Sequence, residues 1–337
     1  MTHVGKYVVL GDLCVDVFMQ VEAYPDAGGD GTVKQMYQFT GGSAANTAMA
    51  LAKLGGKPYL VTHTGKDKWS DQVIPVLDEI GVITSHIKQN GEQSTGLTFL
   101  VVSEDAERTM FTYRGANRSL ELEEINEELF SEIDFLHISS YACLTKPQSD
   151  AVLKAVQFAK NSGVRIALDV GVEPATKARD VILQILPYVS LIILGKPELF
   201  QLTQTESLDM ARDILLDLEV GLVALKLGES GCRLITQDHD LTIPGFQIQA
   251  VDSTGAGDAF CAGMIHGLTN SWSLMETGKF ANAMGALSAS RWGAGEKLPD
   301  LNEIINFLML RSESQEHDKL LTLLQPISIN LSTEEDT

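Results

Sequence analysis

The chain has 337 residues, 44% of them hydrophobic, and a formal net charge of −20. That length supports one large α/β domain or two smaller ones, with ample core, and so acidic a chain lacks the basic face a nucleic-acid binder needs. It has no apolar run of about 20 residues to span a bilayer, no C-x-x-C or H-E-x-x-H spacing to hold zinc, and four scattered cysteines that fit the reduced thiols of a cytoplasmic protein.

The opening segment has an apolar run too short for a signal peptide. Residues 7–10 (YVVL) read as a buried strand, and 15–21 and 33–39 as further strands separated by the turn-rich YPDAGGDG. GGSAANTAMALAKLGG follows with small and apolar residues at helical spacing, Ser43 as its N-cap and Gly55 as its stop. A short strand at 59–62 and a helix at 70–80 come next. Residues 95–103 and 108–114, rich in Thr, Val, Phe and Tyr, read as a hairpin around EDAE.

Beyond this point strands and helices alternate. Strands are predicted at 135–138, 165–170, 191–194 and 222–227, and helices at 147–161, 197–202 and 208–218. That rhythm predicts an α/β fold with a central, mostly parallel sheet covered by helices. A hairpin (232–236 with 240–243) and a strand at 247–251 precede helices at 257–268, 274–291 and 302–310. The two early β segments, about 15–40 and 95–115, read as a lid or as extra edge strands. The polar, acidic residues 313–337 read as a frayed tail or a docked surface helix.

DSTGAGDAF (252–260) sits at the strand-to-helix turn before 257–268. A helix start carries free N–H groups and the positive end of the dipole. Gly255, Ala256 and Gly257 leave those groups open to a phosphate. Asp258 beside them makes little sense as an anion ligand and good sense as a base taking a proton from an attacking hydroxyl. The motif alone also fits a plain turn with a carboxylate complementing the dipole. The P-loop pattern is absent, and Phe260 spoils a dinucleotide fingerprint. Early in the chain, GDLCVD places Asp12 and Asp16 at the end of the first strand, and TGGSAANTA places Asn46 one turn inside a helix opened by Gly41 and Gly42. A carboxylate and an amide above bare backbone suit a neutral polyol.

Together, GGSAANTAMALAKLG and DSTGAGDAFCAGMIHGL resemble the two signatures of the ribokinase-like (PfkB) carbohydrate kinase family, in order and about 200 residues apart. GKDKWSD, KLGESG and FANAMGALSASRWGA resemble its lesser segments, so the resemblance runs from about residue 7 to about 310. It implies a three-layer α/β/α kinase domain (1–312) with a small β-sheet lid that often mediates dimers, and an ATP-dependent kinase acting on a hydroxymethyl group of a small sugar or sugar acid. By resemblance Asp258 is the base, and Gly255, Ala256 and Gly257 form the anion hole. Asp16, Gly42 and Asn46 hold the sugar with Asp12 and Gly41 nearby. Lys226, Gly228, Gly231 and Asn282 lie around the nucleotide, and Glu198 organises Mg²⁺ through water. Asp252, Thr254 and Gly293 match a monovalent-cation loop, with K⁺ the candidate ion.

Several positions depart from the family pattern. Gly195 stands where the family has the Asn of N-x-x-E, and Gly171 and Glu173 replace the Asn and Arg of D-x-N-x-R. Cys14 replaces a sugar-touching asparagine, and HISSYACL lacks a sugar-binding glutamate, so ribose is disfavoured. Lys297 stands where ribokinase has a small hydroxyl residue, either as an ammonium replacing the cation or as a solvated surface lysine. Among Arg108, Arg114 and Arg118, Arg114 could reach an acidic substrate group or be an exposed strand charge. Two rivals to a sugar kinase stay open: a nucleoside kinase of the same family, and a catalytically weak sugar or nucleotide sensor supported by the losses at 171, 173 and 195.

Overall fold

The computed structural model describes residues 3–104, 108–311 and 319–324. The first strand, β1 (Lys6–Leu10), is buried along YVVL and leads to β2 (Cys14–Val21), β3 (Val33–Gly41), helix α1 (Ser43–Lys53), β4 (Lys57–Gly65), helix α2 (Lys68–Ile80) and β5 (Ile87–Asn90). The predicted hairpin is β6 (Gly96–Val102) and β7 (Arg108–Tyr113), paired antiparallel. The alternating region contributes β8 (Phe135–Ser139), α3 (Gln148–Asn161), β9 (Arg165–Asp169), α4 (Val172–Lys177), α5 (Arg179–Ile185), β10 (Leu191–Gly195), α6 (Lys196–Thr203), α7 (Leu208–Asp217) and β11 (Val223–Lys226). A second hairpin, β12 (Cys232–Ile235) and β13 (Asp240–Ile243), precedes α8 (Ala256–Thr269), α9 (Leu274–Ala289) and α10 (Leu301–Met309).

Nine of the described strands form one sheet in the order β13-β12-β11-β10-β9-β8-β1-β4-β5, parallel from β11 to β5 and antiparallel at the β12 and β13 edge. Strands apolar on both faces must be covered on both, and two separate cores do this. One contains Leu51, Phe260 and Phe280; the other contains Leu136, Val152 and Leu199. Each large apolar side chain so buried contributes about 1.5–3 kcal/mol. Gly263 of α8 lies against the Ala281 backbone of α9, so the two helices approach as closely as small residues allow. This is the predicted three-layer architecture.

Successive strands run outward from β1 in both directions, so the strand order reverses beside β8. Ligands of open α/β sheets bind at such a switch point, beyond the carboxyl ends of the strands. A separate four-stranded sheet, ordered β3-β2-β6-β7, joins both early β segments. They are therefore a distinct sheet and not extra edge strands.

Some local expectations change. Residues 247–251 form no strand: Pro244 offers no N–H beyond the edge strand β13, and the Val251 and Asp252 amides bond to the Ala289 carbonyl of α9. Ser43 is not the cap of α1. Gly42 is, at φ 97°, where a β-carbon would run into the Asp12 carbonyl. The helix α2 starts earlier, at an Asp67 capping box that also accepts from the Thr95 amide and hydroxyl and so ties the start of the second early β segment to the main body. The short β5, α4 and α5 are elements beyond those predicted. In the C-terminal segment, residues 319–324 form a helical turn that buries Leu320 and Leu324, while 313–318 and 325–337 lie outside the described residues. No helix among the described residues is long and apolar enough to cross a membrane.

Candidate active site

The start of α8 lies against the start of α1, which brings the two signature motifs together. Gly255 caps α8 in the left-handed region at φ 74°, with its α-carbon face against Ala294. The open amides of the first turn therefore point out of the helix end. The Asp258 carboxylate accepts from the Ser43 hydroxyl at 2.9 Å and from the Asn46 amide at 2.8 Å. Asn46 in turn accepts from the Gly295 N–H at 3.1 Å, so both ends of its amide are engaged. Burial first, then the negative charge of Asp169, pushes the Asp258 carboxyl up to about 7, against the opposing pull of Asn46, Ser43 and Lys226. That value is near the optimum for a general base at neutral pH.

Asp16 and Asp12 enter from β2 and the turn before it, 5% and 6% exposed. Burial, then the charge of Asp258, pushes Asp16 up to about 7 as well. A side chain at Gly41 would occupy the space of the Asp16 carboxylate. Arg114, just beyond β7, is not an exposed strand charge. Its Nε and Nη2 form a bidentate pair with Asp12 at 2.9 and 2.7 Å, and Nη2 also donates to Gln148 Oε1 at 2.7 Å. Arg114 Nη1 and Gln148 Nε2 are buried donors with no hydrogen-bond partner among the described residues. Asn117, fully buried, accepts from the Leu13 amide and donates to its carbonyl, which fixes the turn between Asp12 and Cys14.

On the other side of the helix end, a groove of about 340 Å³ is lined by Lys226, Gly228, Gly231, Asn282, Ala256 and Gly257. Asn282 donates to the Ile243 and Pro244 carbonyls and so holds the coil after β13 as the groove wall. Lys226, ending β11, pairs with Asp169, ending β9, at 3.0 Å. Glu198 directs Oε2 over bare Gly195, where a β-carbon would stand 2.6 Å away, and that oxygen is buried without a partner among the described residues. One free carboxylate oxygen, whose charge acts on Lys226 at the groove, fits Mg²⁺, which keeps waters and takes few protein ligands. No group of three or more His, Cys, Asp or Glu suited to hold a metal by itself occurs among the described residues.

The Asp252 carboxylate gathers Thr254 N–H and Oγ at 3.0 and 2.7 Å and Gly293 N–H at 3.1 Å, so these three residues do form one loop cluster. Arg108 of the small sheet donates to Thr254 Oγ1 at 2.8 Å. Lys53, unremarked in the sequence, braces the same loop by donating to the Glu296 and Leu298 carbonyls. Lys297 is exposed, as a solvated surface lysine is, and does not stand in for a buried cation.

With the geometry in view, the chain matches the family model "pfkB family carbohydrate kinase" over residues 5–301. The chain belongs to the pfkB family of carbohydrate kinases. This pfkB kinase is 30% identical to fructokinase-1 of Zea mays over 285 residues, covering 80% of this chain and 88% of that one. It superposes on the ribokinase of Thermotoga maritima with a TM-score of 0.80 and 25% identity, covering 91% of this chain and all (100%) of that one. The Xylella fastidiosa fructokinase with bound ATP gives a TM-score of 0.80 at 24% identity, covering 91% and 99%.

Sequence reading of the pfkB kinase missed Ser43 as a partner of Asp258, Gln148 beside Arg114, and Asp169 beside Lys226. Only Asp169 carried a signal, as an acid at a strand end in the segment DVGVE.

Proposed function

We propose that this carbohydrate kinase transfers the γ-phosphoryl group of ATP to a primary hydroxyl of a small neutral sugar, with a ketohexose the first candidate. The observation that carries the reading is the Asp258 carboxylate, held by Ser43 and Asn46 beside the open helix end. In this reading Asp258 takes the hydroxyl proton, the Gly255, Ala256 and Gly257 segment binds phosphoryl oxygens, and Asp12, Asp16, Gly41, Gly42 and Asn46 orient the sugar. Gly228, Gly231, Asn282 and Lys226 border the nucleotide. Glu198 would help hold Mg²⁺, and the ion would neutralise phosphate charge. Asp252, Thr254 and Gly293 frame a site for a monovalent cation such as K⁺.

The charge on Arg114 is matched by Asp12, so the pair offers N–H donors without net positive charge. With Asp16 and Asp258 close by, that supports a neutral sugar over a sugar acid. The curated fructokinase relatives support a ketohexose.

A second reading, a nucleoside, rests on one observation. Phe18, Tyr37 and Phe39 of the lid line an apolar cavity of about 450 Å³ with Trp292. Phe18 lies two residues beyond Asp16 on β2, and Phe39 lies opposite Asp16, so the aromatic rings share its face. An apolar base could lodge there.

The test is ADP release from Mg-ATP over a panel of ketohexoses, pentoses, sugar acids and nucleosides, run in K⁺ and Na⁺ salts. Fructose should give the highest kcat/KM. A nucleoside preferred over every sugar would replace the first reading with the second, and silence across the panel with ATP still bound would favour a sensor.

We further propose a homodimer through the lid. Its edge strands β3 and β7 carry the exposed apolar side chains Met36 (58%) and Phe111 (61%), and unpaired apolar edges call for a partner. Light scattering should give twice the chain mass, and Phe111→Glu should shift it toward the monomer; a monomeric native protein would end this proposal. The four cysteines are free and buried, in keeping with a cytoplasmic location.

A further inference from the structure

The segments that depart from the family pattern leave the phosphate side of the site short of donors. At Gly171, where the family has an asparagine, the Tyr141 ring lies 2.7 Å from the place a β-carbon would take. Glu173, in the arginine position, is turned to the surface and paired with Lys177 at 2.8 Å. At Gly195 the space of the missing asparagine holds the Glu198 carboxylate. None of the three supplies a cation or an amide N–H from its side chain to a phosphate.

The cation that these strand ends do supply is Lys226. Its side chain is 25% exposed, and its Nζ is fixed by Asp169 Oδ1 at 3.0 Å. A β-carbon on Gly257 would meet Nζ at 3.4 Å and, its own turn of α8 aside, no other described atom within 4 Å. The ammonium therefore stands directly over the first turn of α8, in the groove and not behind it. An ammonium carries three donors, and the Asp169 bond uses one. Burial disfavours its charge, but the Asp169 carboxylate outweighs that and holds its pKa above the ordinary lysine value.

We propose that Lys226 is a catalytic residue of this kinase: its ammonium grips the γ-phosphoryl oxygens over Gly257 and supplies the positive charge that position 173, with Glu in place of Arg, does not provide. The proposal rests on the kinase reading. During transfer the acceptor oxygen forms a bond to the γ-phosphorus and its proton goes to Asp258. The bond from the γ-phosphorus to the β–γ bridging oxygen breaks, and its electron pair leaves with ADP. Lys226 forms and breaks no covalent bond; it donates hydrogen bonds to oxygens whose charge is redistributed in the transition state. Asp169 is a positioning residue, since it touches the lysine and not the phosphate.

The test is calorimetric binding of ADP and of a non-hydrolysable ATP analogue, each with Mg²⁺, to native enzyme and to Lys226→Gln. A lysine on the γ-phosphoryl group predicts analogue affinity lower by about 10-fold or more and ADP affinity within about threefold, with kcat down by about 10²–10³-fold. Equal loss for both nucleotides, or no loss for either, overturns the assignment and leaves Lys226 as the structural partner of Asp169. Native enzyme that binds neither nucleotide would instead overturn the kinase reading itself. If Lys226→Gln does not fold, Lys226→Arg serves: it keeps the charge and should retain the analogue-over-ADP preference, whose loss would also count against the proposal.

Discussion

Asp258→Asn should lower kcat by about 10²–10⁴-fold and leave sugar affinity within a few-fold. Asparagine keeps an oxygen to accept from Ser43 or Asn46, so the pocket retains its shape while the proton acceptor is lost. The native pH profile should carry the signature of the same group. The carboxylate is the active form, and burial together with Asp169 raises its pKa to about 7, so turnover should fall as the pH drops below that value. The stability effect runs the other way. A carboxyl whose folded pKa is raised from an ordinary value of 3.8 contributes stability fully present below about 4 and lost as the pH rises through about 7. The Asn variant should therefore melt higher than native protein at pH 8, with the gain shrinking toward pH 5, as expected where a functional group is held against its own electrostatics. Near-native turnover in the variant would remove Asp258 from the mechanism, whatever the melting curves.

Gly257→Val should lower kcat/KM for ATP by about 10²–10³-fold with little change in thermal midpoint. The position is helical, and valine is a better helix former than glycine. The new side chain would meet Lys226 Nζ in the groove. The fold can accept it; the space for a phosphoryl group cannot. Gly255 is the contrasting control. It needs φ 74°, and a β-carbon there would meet Ala294 Cβ at 2.7 Å, so Gly255→Val should lose stability and activity together. Steady-state kinetics with melting curves on both variants separate the two causes. Full ATP turnover in Gly257→Val would show that no phosphoryl group approaches this turn.

Much of this protein was legible from short stretches of chain. Strand and helix alternation, the β6 and β7 hairpin and the glycine-opened starts of α1 and α8 all follow from periodicity and backbone freedom within a dozen residues. The resemblance of two motifs to a kinase family, and with it the candidate base, was carried by the residues of 41–55 and 252–268 themselves. Where local pattern failed, the cause was a missing neighbour: residues 247–251 alternate like a strand but have no strand to pair with, and β5 is a strand because β4 lies alongside it. The chemistry of the site was decided at longer range. Nothing near Asp258 in sequence indicates that Ser43 and Asn46 hold its carboxylate, that Asp12 takes up the charge of Arg114, or that Asp169 aims Lys226 over Gly257. Sequence alone determined which residue types arrive at the strand ends, because backbone geometry is set locally. Tertiary structure decided which of them face one another and how far their pKa values move, because charge pairing and burial depend on elements far apart in the chain, 215 positions for Ser43 and Asp258 and 249 for Asn46 and Gly295.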